Sequence, residues 1–445
     1  MNPAIPCRFP LAVLDKVEIG FGCIGDMVIH MEMVFGHPLD PNRLRTAMTR
    51  LLDAEPVLGC RLAIGAFGAS WVRLPQEERE NLSIAQTRLE YEAFLRSPHL
   101  PETGPLLKGC LWSGHHGKGT SEQENEPPCD HLMLKIAHEI SDAGGLKETA
   151  ARLADIYNKL RQDPDWQPSP NLKGSRSIRQ VLRQVPLRRY PRIYGNYLLT
   201  QARIIKSEEG HLFQQPGHCE GRPRYLTRRL SPEQTLHLRH YGQQHGVTLN
   251  DIFITVFLRA MMHLGGKKKK ALSRLIFTAD LRQHYLPEGR GESICNLSAI
   301  EILFIRTDPE QDFQTTLNQV SRFIKKRKQN GLGLSDLIGL APTLSLFPTA
   351  WLRKILHAVL PWACRKSAVQ SALTNLGPIH PENLIFDKAP LDARILVPPM
   401  FPPVLAAGIS GYMGSLTLSM TCYGEPEQQR TAERFMERFL DELPL

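Results

Sequence analysis

The stretch KIAHEISDAGG, residues 135–145, ends an apolar run on a histidine, sets an aspartate four positions later and follows it with two glycines. The residues leading into it, HLMLKIAH (131–138), alternate: Leu132, Leu134, Ile136 and His138 share one face, and Met133, Lys135 and Ala137 the other. That period of two is a β-strand. Past the glycines the period changes, with Leu146, Ala150, Leu153, Ala154, Tyr157 and Leu160 forming an apolar stripe at helical spacing. The stretch therefore predicts a strand-to-helix junction, whose glycines let the backbone turn tightly without a Cβ clash. At such a junction Asp142 can cap the following helix or receive a charge-assisted bond from an arginine. The strand end holds His138 firmly, and near neutral pH its imidazole can take a proton from a hydroxyl, amine or thiol and return it. Spacing alone equally allows a core histidine beside a helix cap, in a chain with sixteen histidines.

Working outward, DMVIHMEMVFG (26–36) alternates like a strand, and Asp40–Pro41 opens a helix with Leu44, Ala47, Met48, Leu51 and Leu52 on one face. ASWVRLP (69–75) reads as a strand and 117–128 as a loop without hydrophobic period. The polar, proline-rich RQDPDWQPSPNLKGS (161–175) closes an N-terminal unit over 1–175; a basic linker over 176–195 precedes a second unit over 196–445. There, Ser231 with Gln234 and Thr248 with Asp251 form capping boxes for helices over 232–245 and 249–264. RLIFTADLR (274–282), SAIEILFIR (298–306) and LTLSMTC (416–422) read as strands, and 427–442 as a closing helix. Strands and helices mix in both halves, which predicts α/β or α+β layers.

Composition removes several classes. The N-terminus MNPAIPCRFP lacks a basic-then-apolar leader, and the apolar stretch IGLAPTLSLFPTAW (338–351) is too short and proline-broken to span a bilayer. The overlapping LFPTAWLRKILHAVLPW (346–362) is expected to pack inside the protein, with a channel lid or membrane-adjacent patch as the other reading. Nine scattered cysteines without a CxxC fit a reduced, cytoplasmic chain and lend no support to structural zinc. His131, His138 and Asp142 make a poor metal set because His131 lies at the far end of the strand, and His115–His116 flank a loop. The formal charge of +9 gathers in KKKK (267–270), KKRK (325–328) and residues 173–192. These are solvated loops or draws for phosphates and acidic proteins; without a zinc-finger or helix-turn-helix signature, no nucleic acid is expected. Ser141 lacks a GxSxG elbow, and neither GxGxxG nor GxxxxGK[ST] occurs.

Taken together, the pieces resemble the condensation-domain-like, coenzyme-A-dependent acyltransferase superfamily, which includes chloramphenicol acetyltransferases, peptide-synthetase condensation domains, wax ester synthases and alcohol O-acetyltransferases. Its signature HHxxxDG is matched by AHEISDAG (137–144): Ala137 replaces the first histidine, His138 and Asp142 are kept, and Ala143 replaces the glycine, with Gly144 next. Residues 35–62, 246–261, 278–282, 294–300, 374–379 and 408–425 resemble further family segments in the expected order, with TNLGPI (374–379) similar to the crossover strand. The resemblance implies an α/β (α+β) two-layer sandwich of two pseudo-symmetric chloramphenicol-acetyltransferase-like lobes with a tunnel between them. It implies an acyltransferase moving an acyl group from a thioester to a small-molecule alcohol or amine, with His138 as general base. Asp142 is then architectural and pairs with an arginine, for which Arg282 is the candidate; Gly144 supports the turn. Asn296, Thr374 and Asn375 shape the substrate channel. The co-substrate is acyl-CoA or a phosphopantetheinyl acyl carrier protein of acidic character, with no tightly bound cofactor, and the chain is expected to be a monomer. Ala137 and Ala143 motivate the alternative of a catalytically inactive binding or interaction module.

Overall fold

A computed structural model describes residues 4–65, 68–114, 129–207, 222–265, 271–308, 310–365, 371–423 and 426–445. His115, His116, the 117–128 segment and the lysine run 267–270 lie outside the described residues.

Two mixed sheets carry the two lobes. In the N-terminal lobe the motif strand Asp130–Ala137 lies centrally, antiparallel to Val28–Phe35 with Val28 opposite Ala137 and Phe35 opposite Asp130. Leu107–Ser113 flanks its other side, and Leu82–Ala85 forms an edge. Period-two alternation sends Leu132, Leu134 and Ile136 to one face, where they meet Leu146, Ala150, Leu153 and Tyr157 of the motif helix Ala143–Gln162. A second helix, Pro41–Ala54, is capped by the Asp40 carboxylate accepting from the Asn42 and Arg43 N–H groups, and buries Leu44, Leu51 and Leu52 in the same core. Each such leucine contributes roughly 1.5–3 kcal/mol by leaving water.

The C-terminal lobe holds a six-stranded sheet in the order Ser298–Thr307, Ala271–Asp280, Ala372–Ile379, Ala406–Tyr412, Ser415–Cys422, Arg224–Leu230. Both capping boxes form, at Ser231 and Thr248, and the helix Leu249–Leu264 is buried nearly all round between the sheet and the helices Phe313–Gln329 and Pro426–Asp441. Phe257 meets Phe435 edge to face at 5.0 Å. Residues 176–195 hold a short helix Arg179–Leu182, a 3-10 turn and the start of the helix Tyr190–Lys206. Arg176 is committed to the core: it pairs with the buried Asp15 at 2.8 Å and donates to the Ile294 and Ile140 carbonyls.

The crossing between lobes is made by a segment other than the one predicted. Residues 374–379 sit in the middle of the C-terminal sheet, parallel to Ala406–Tyr412 and Ala271–Asp280. The strand that crosses is Asp392–Leu396, which adds to the N-terminal sheet antiparallel to Val28–Phe35. Its alternation explains the destination: Ala393 and Ile395 enter the N-terminal core while Arg394 donates to Glu32 across the pair at 2.7 Å. A five-residue strand flanked by Pro390 and Pro398 gives too short a pattern to announce this in advance.

Candidate active site

His138 follows directly on the last residue of the motif strand, and its N–H continues the ladder to the Met27 carbonyl at 2.9 Å. The chain then turns through Ile140 and Ser141, whose N–H groups bond back to Ala137 and His138, and enters the motif helix at Asp142. Asp142 does both things its spacing allowed. Its Oδ1 caps the helix by accepting from the Gly145 N–H at 2.9 Å, and its Oδ2 accepts from Arg282 Nη1 and the Leu297 N–H, both at 2.7 Å. Burial opposes the charge on Asp142, yet the Arg282 cation and these bonds outweigh it and hold its carboxyl below the usual range.

Arg282 does not end the strand as expected but sits in the first turn of a short helix, two residues past the strand. The strand stops at Asp280, whose side chain caps a short helix Leu281–Tyr285 by accepting from the Arg282 N–H. The guanidinium is 1% exposed, donates from Nη2 to the Cys295 carbonyl at 2.6 Å and faces Glu148 at 3.4 Å. One ion pair thus bolts the motif turn of the first lobe to two loops of the second. Gly144 is required by that bolt rather than by its torsion: a Cβ there would stand 2.9 Å from Arg282 Nη1. Positive φ occurs at neither Ala143 nor Gly144, so the alanine in the signature's glycine position carries no backbone strain.

His138 looks the other way. Its side chain is 18% exposed, and its Nδ1 stands 3.3 Å from Asn296 Nδ2 and 4.0 Å from Glu18 Oε2. The Asn296 amide is oriented by the Ser298 N–H bonding to Oδ1, so its NH2 faces both the ring and Glu18 Oε1 at 3.2 Å. Glu18 comes from the N-terminal helix Val13–Phe21, and burial raises its pKa despite the opposing pull of His138 and Asn296. The sequence offered no signal for Glu18: it lies far from the motif in the chain and in no recognisable spacing with it. Asn296 is the polar group bonded at Nδ1, and Glu18 is the acidic group nearest to it. Nε2 has no hydrogen-bond partner among the described residues.

A cavity of 730 Å³ opens between the lobes, walled by the motif helix and by the strands Ala271–Asp280 and Ala372–Ile379. Gly144, Arg282 and Asn375 line it; His138, Asn296 and Thr374 do not. Thr374 Oγ1 is instead bonded to Thr278 Oγ1 at 2.6 Å. The exposed Asn375 closes its own bulge by accepting from the Gly377 N–H, where φ is 71° and a side chain would be strained. Lys147 staples the helix to this strand through the Leu376 carbonyl at 2.9 Å. The KKRK cluster is divided among tasks. Arg327 binds Glu301 with two bonds of 2.8 Å, Lys325 donates to the Gly246 carbonyl at the end of the helix Pro232–His245, and Lys328 lines the cavity. Among the described residues no three His, Cys, Asp or Glu side chains converge as a metal set.

Solved structures share this architecture. Polyketide synthase associated protein 5 from Mycobacterium tuberculosis aligns over 98% of this chain and 98% of its own, at 15% identity and a TM-score of 0.63. The trichothecene 15-O-acetyltransferase of Fusarium sporotrichioides aligns over 98% and 94%, at 13% identity and a TM-score of 0.70. The first condensation domain of the calcium-dependent antibiotic synthetase, bound to a substrate analogue, aligns over 98% and 95%, at 16% identity and a TM-score of 0.69. No family model and no curated protein sequence matches the chain. At these identities the likeness is one of fold: the chain has the two-lobed fold of the condensation-domain-like acyltransferases.

Proposed function

We propose that the protein transfers an acyl group from a thioester to an acceptor hydroxyl or amine, with His138 as general base. The observation that carries this reading is the ring itself: it projects from a strand end, with Asn296 bonded at Nδ1, Glu18 4.0 Å from the same nitrogen, and Nε2 unengaged. The acceptor proton passes to Nε2 as its oxygen or nitrogen attacks the thioester carbonyl. The tetrahedral adduct then collapses, the C–S bond breaks, and the ring returns the proton to the departing sulfur. For Nε2 to accept, the neutral ring must carry its own proton on Nδ1. A donating Asn296 amide favours the opposite tautomer, so the Glu18 carboxylate is the group that selects the active one and stabilises the imidazolium. A move of the ring from 4.0 Å into bonding range is of the kind that substrate binding brings about. The cavity, with Lys328 and Lys147 on its wall, suits the polar arm of acyl-CoA or of an acyl carrier protein.

The test is thiol release by the full chain across a panel of acyl-CoA donors and alcohol or amine acceptors. Acceptor-dependent release that falls about 10²- to 10⁴-fold in His138→Ala supports the mechanism; an undiminished rate in a folded variant removes it. One observation favours a second reading, a binding module without turnover: His138 does not line the cavity. Saturable acyl-CoA binding with no release for any donor would establish that reading instead.

A further inference from the structure

The segment 346–362, expected to pack inside the protein, is half outside it. Its helix, Thr349–Arg365, buries Leu352 and packs on the N-terminal helix Val13–Phe21, where a Cβ on Gly20 would collide with Leu356. The opposite face presents Trp351, Lys354, Ile355, Val359 and Trp362, with 63% of Trp351 and 54% of Trp362 exposed. The spacing i, i+3, i+4, i+8, i+11 is one stripe of an α-helix. Leu346 and Phe347 extend it at the N-terminal end. The helix Tyr190–Lys206 packs through Tyr197 on Gly339, the end of the short helix Ser335–Gly339, and it too exposes Tyr194, Leu198 and Leu199.

Charge separates this face from an ordinary sticky patch. No Asp or Glu occurs between Asp165 and Glu208 or between Asp336 and Glu382, the two stretches that supply both helices. The same stretches expose Arg188, Arg192, Arg203, Lys206 and Lys354. The Glu102 carboxylate that reaches the helix Thr349–Arg365 is paired with Arg353 at 2.9 Å, and an apolar stripe that carries Lys354 matches a helix lying in the boundary of an anionic bilayer. The two tryptophans sit about 16 Å apart along one stripe, so a helix parallel to the surface brings both indoles to the depth where their apolar rings and N–H groups are each satisfied. No single helix among the described residues is long and apolar enough to cross a membrane.

We infer that the exposed apolar face of the helix 349–365 docks on anionic lipid membranes. This inference is independent of the acyl-transfer reading. The full chain is sedimented with vesicles of phosphatidylcholine alone and of phosphatidylcholine with phosphatidylserine, at low and high salt, with tryptophan emission and quenching by brominated acyl chains followed in parallel. The expected result is binding to the phosphatidylserine vesicles that weakens with salt, with blue-shifted and quenched emission. The double variant Trp351→Ser, Trp362→Ser should bind at least about tenfold more weakly, and Lys354→Gln about fivefold. The variants' melting curves check folding, and these exposed side chains should leave them unchanged. Failure to bind either vesicle overturns the inference, as does equal, salt-insensitive binding to both. A concentration-dependent dimer that the tryptophan substitutions dissolve, without vesicle binding, overturns it in favour of a second copy on this face.

Discussion

His138 and Glu139 are neighbours with opposite environments. The ring reaches solvent, whereas Glu139 is buried with an Oε2 that finds no partner, and burial pushes its pKa up to about 8, helped by Glu18, Glu102 and Asp15. An unfolded glutamate titrates near ~4.3, so across the interval from there to about 8 the folded chain holds a proton that the unfolded chain has lost. This site therefore costs stability as pH rises through that interval. Denaturant melts of Glu139→Gln should lose less stability than the parent between mildly acidic and mildly alkaline buffer. His99 works on the acid side. Buried beside Lys108 and Lys135, it has its pKa driven down to about 3, so its contribution vanishes as pH falls from ~6.5 toward that value. His99→Gln should move the acid-unfolding midpoint to lower pH, read by circular dichroism. If His138 is the base as proposed, Glu18→Gln should lower kcat about ten- to a hundredfold with KM little changed and an altered pH–rate profile, because the substitution removes the carboxylate proposed to select the tautomer.

At the scale of elements, the junction of strand and helix stands on one buried ion pair. Arg282→Met leaves the Asp142 carboxylate buried without its cation, a loss of about 3–5 kcal/mol; adding Asp142→Asn should recover part of it, as a double-mutant cycle in urea would read. Gly144→Ala should cost about 1–3 kcal/mol, because the guanidinium facing the new Cβ is fixed between Asp142 and the Cys295 carbonyl and has nowhere to swing. Much of this junction was legible. The change of period at the glycines gave the strand and helix to within two residues, and a carboxylate just ahead of an apolar helical stripe is a candidate cap. What spacing left open was whether Asp142 capped or paired. The structure answers that it does both, since a carboxylate has two oxygens and the lobes bring Arg282 to the second.

For the whole molecule, the lobes are interleaved rather than joined end to end. Asp392–Leu396 completes the sheet that carries the motif, and Arg176 is locked to Asp15 under the first lobe. A fragment of residues 1–175 would bare the edge of the strand Val28–Phe35 and leave the buried Asp15 without its arginine, with only Trp71 and Ala12 donating to it. It should aggregate or stay unfolded, while the full chain melts in one transition by calorimetry. Ile395→Ala, at a fully buried position of the crossing strand, should remove about 2–5 kcal/mol and destabilise both lobes together.

Local rules, acting over a few residues, were readable from the chain itself: the strand before His138, the helix after Asp142, the caps at Asp40, Ser231 and Thr248, and the mixed layers they imply. Period and capping depend on neighbours within about one helical turn, so the sequence states them directly. Pairings at long range were decided by packing. Asn296 meets His138 across 158 residues and Arg282 meets Asp142 across 140. Glu18 beside the ring, the strand that crosses, and the side of the helix Thr349–Arg365 left bare follow from how two sheets dock. No periodicity records that, because each is a fact about which surfaces the other lobe covers.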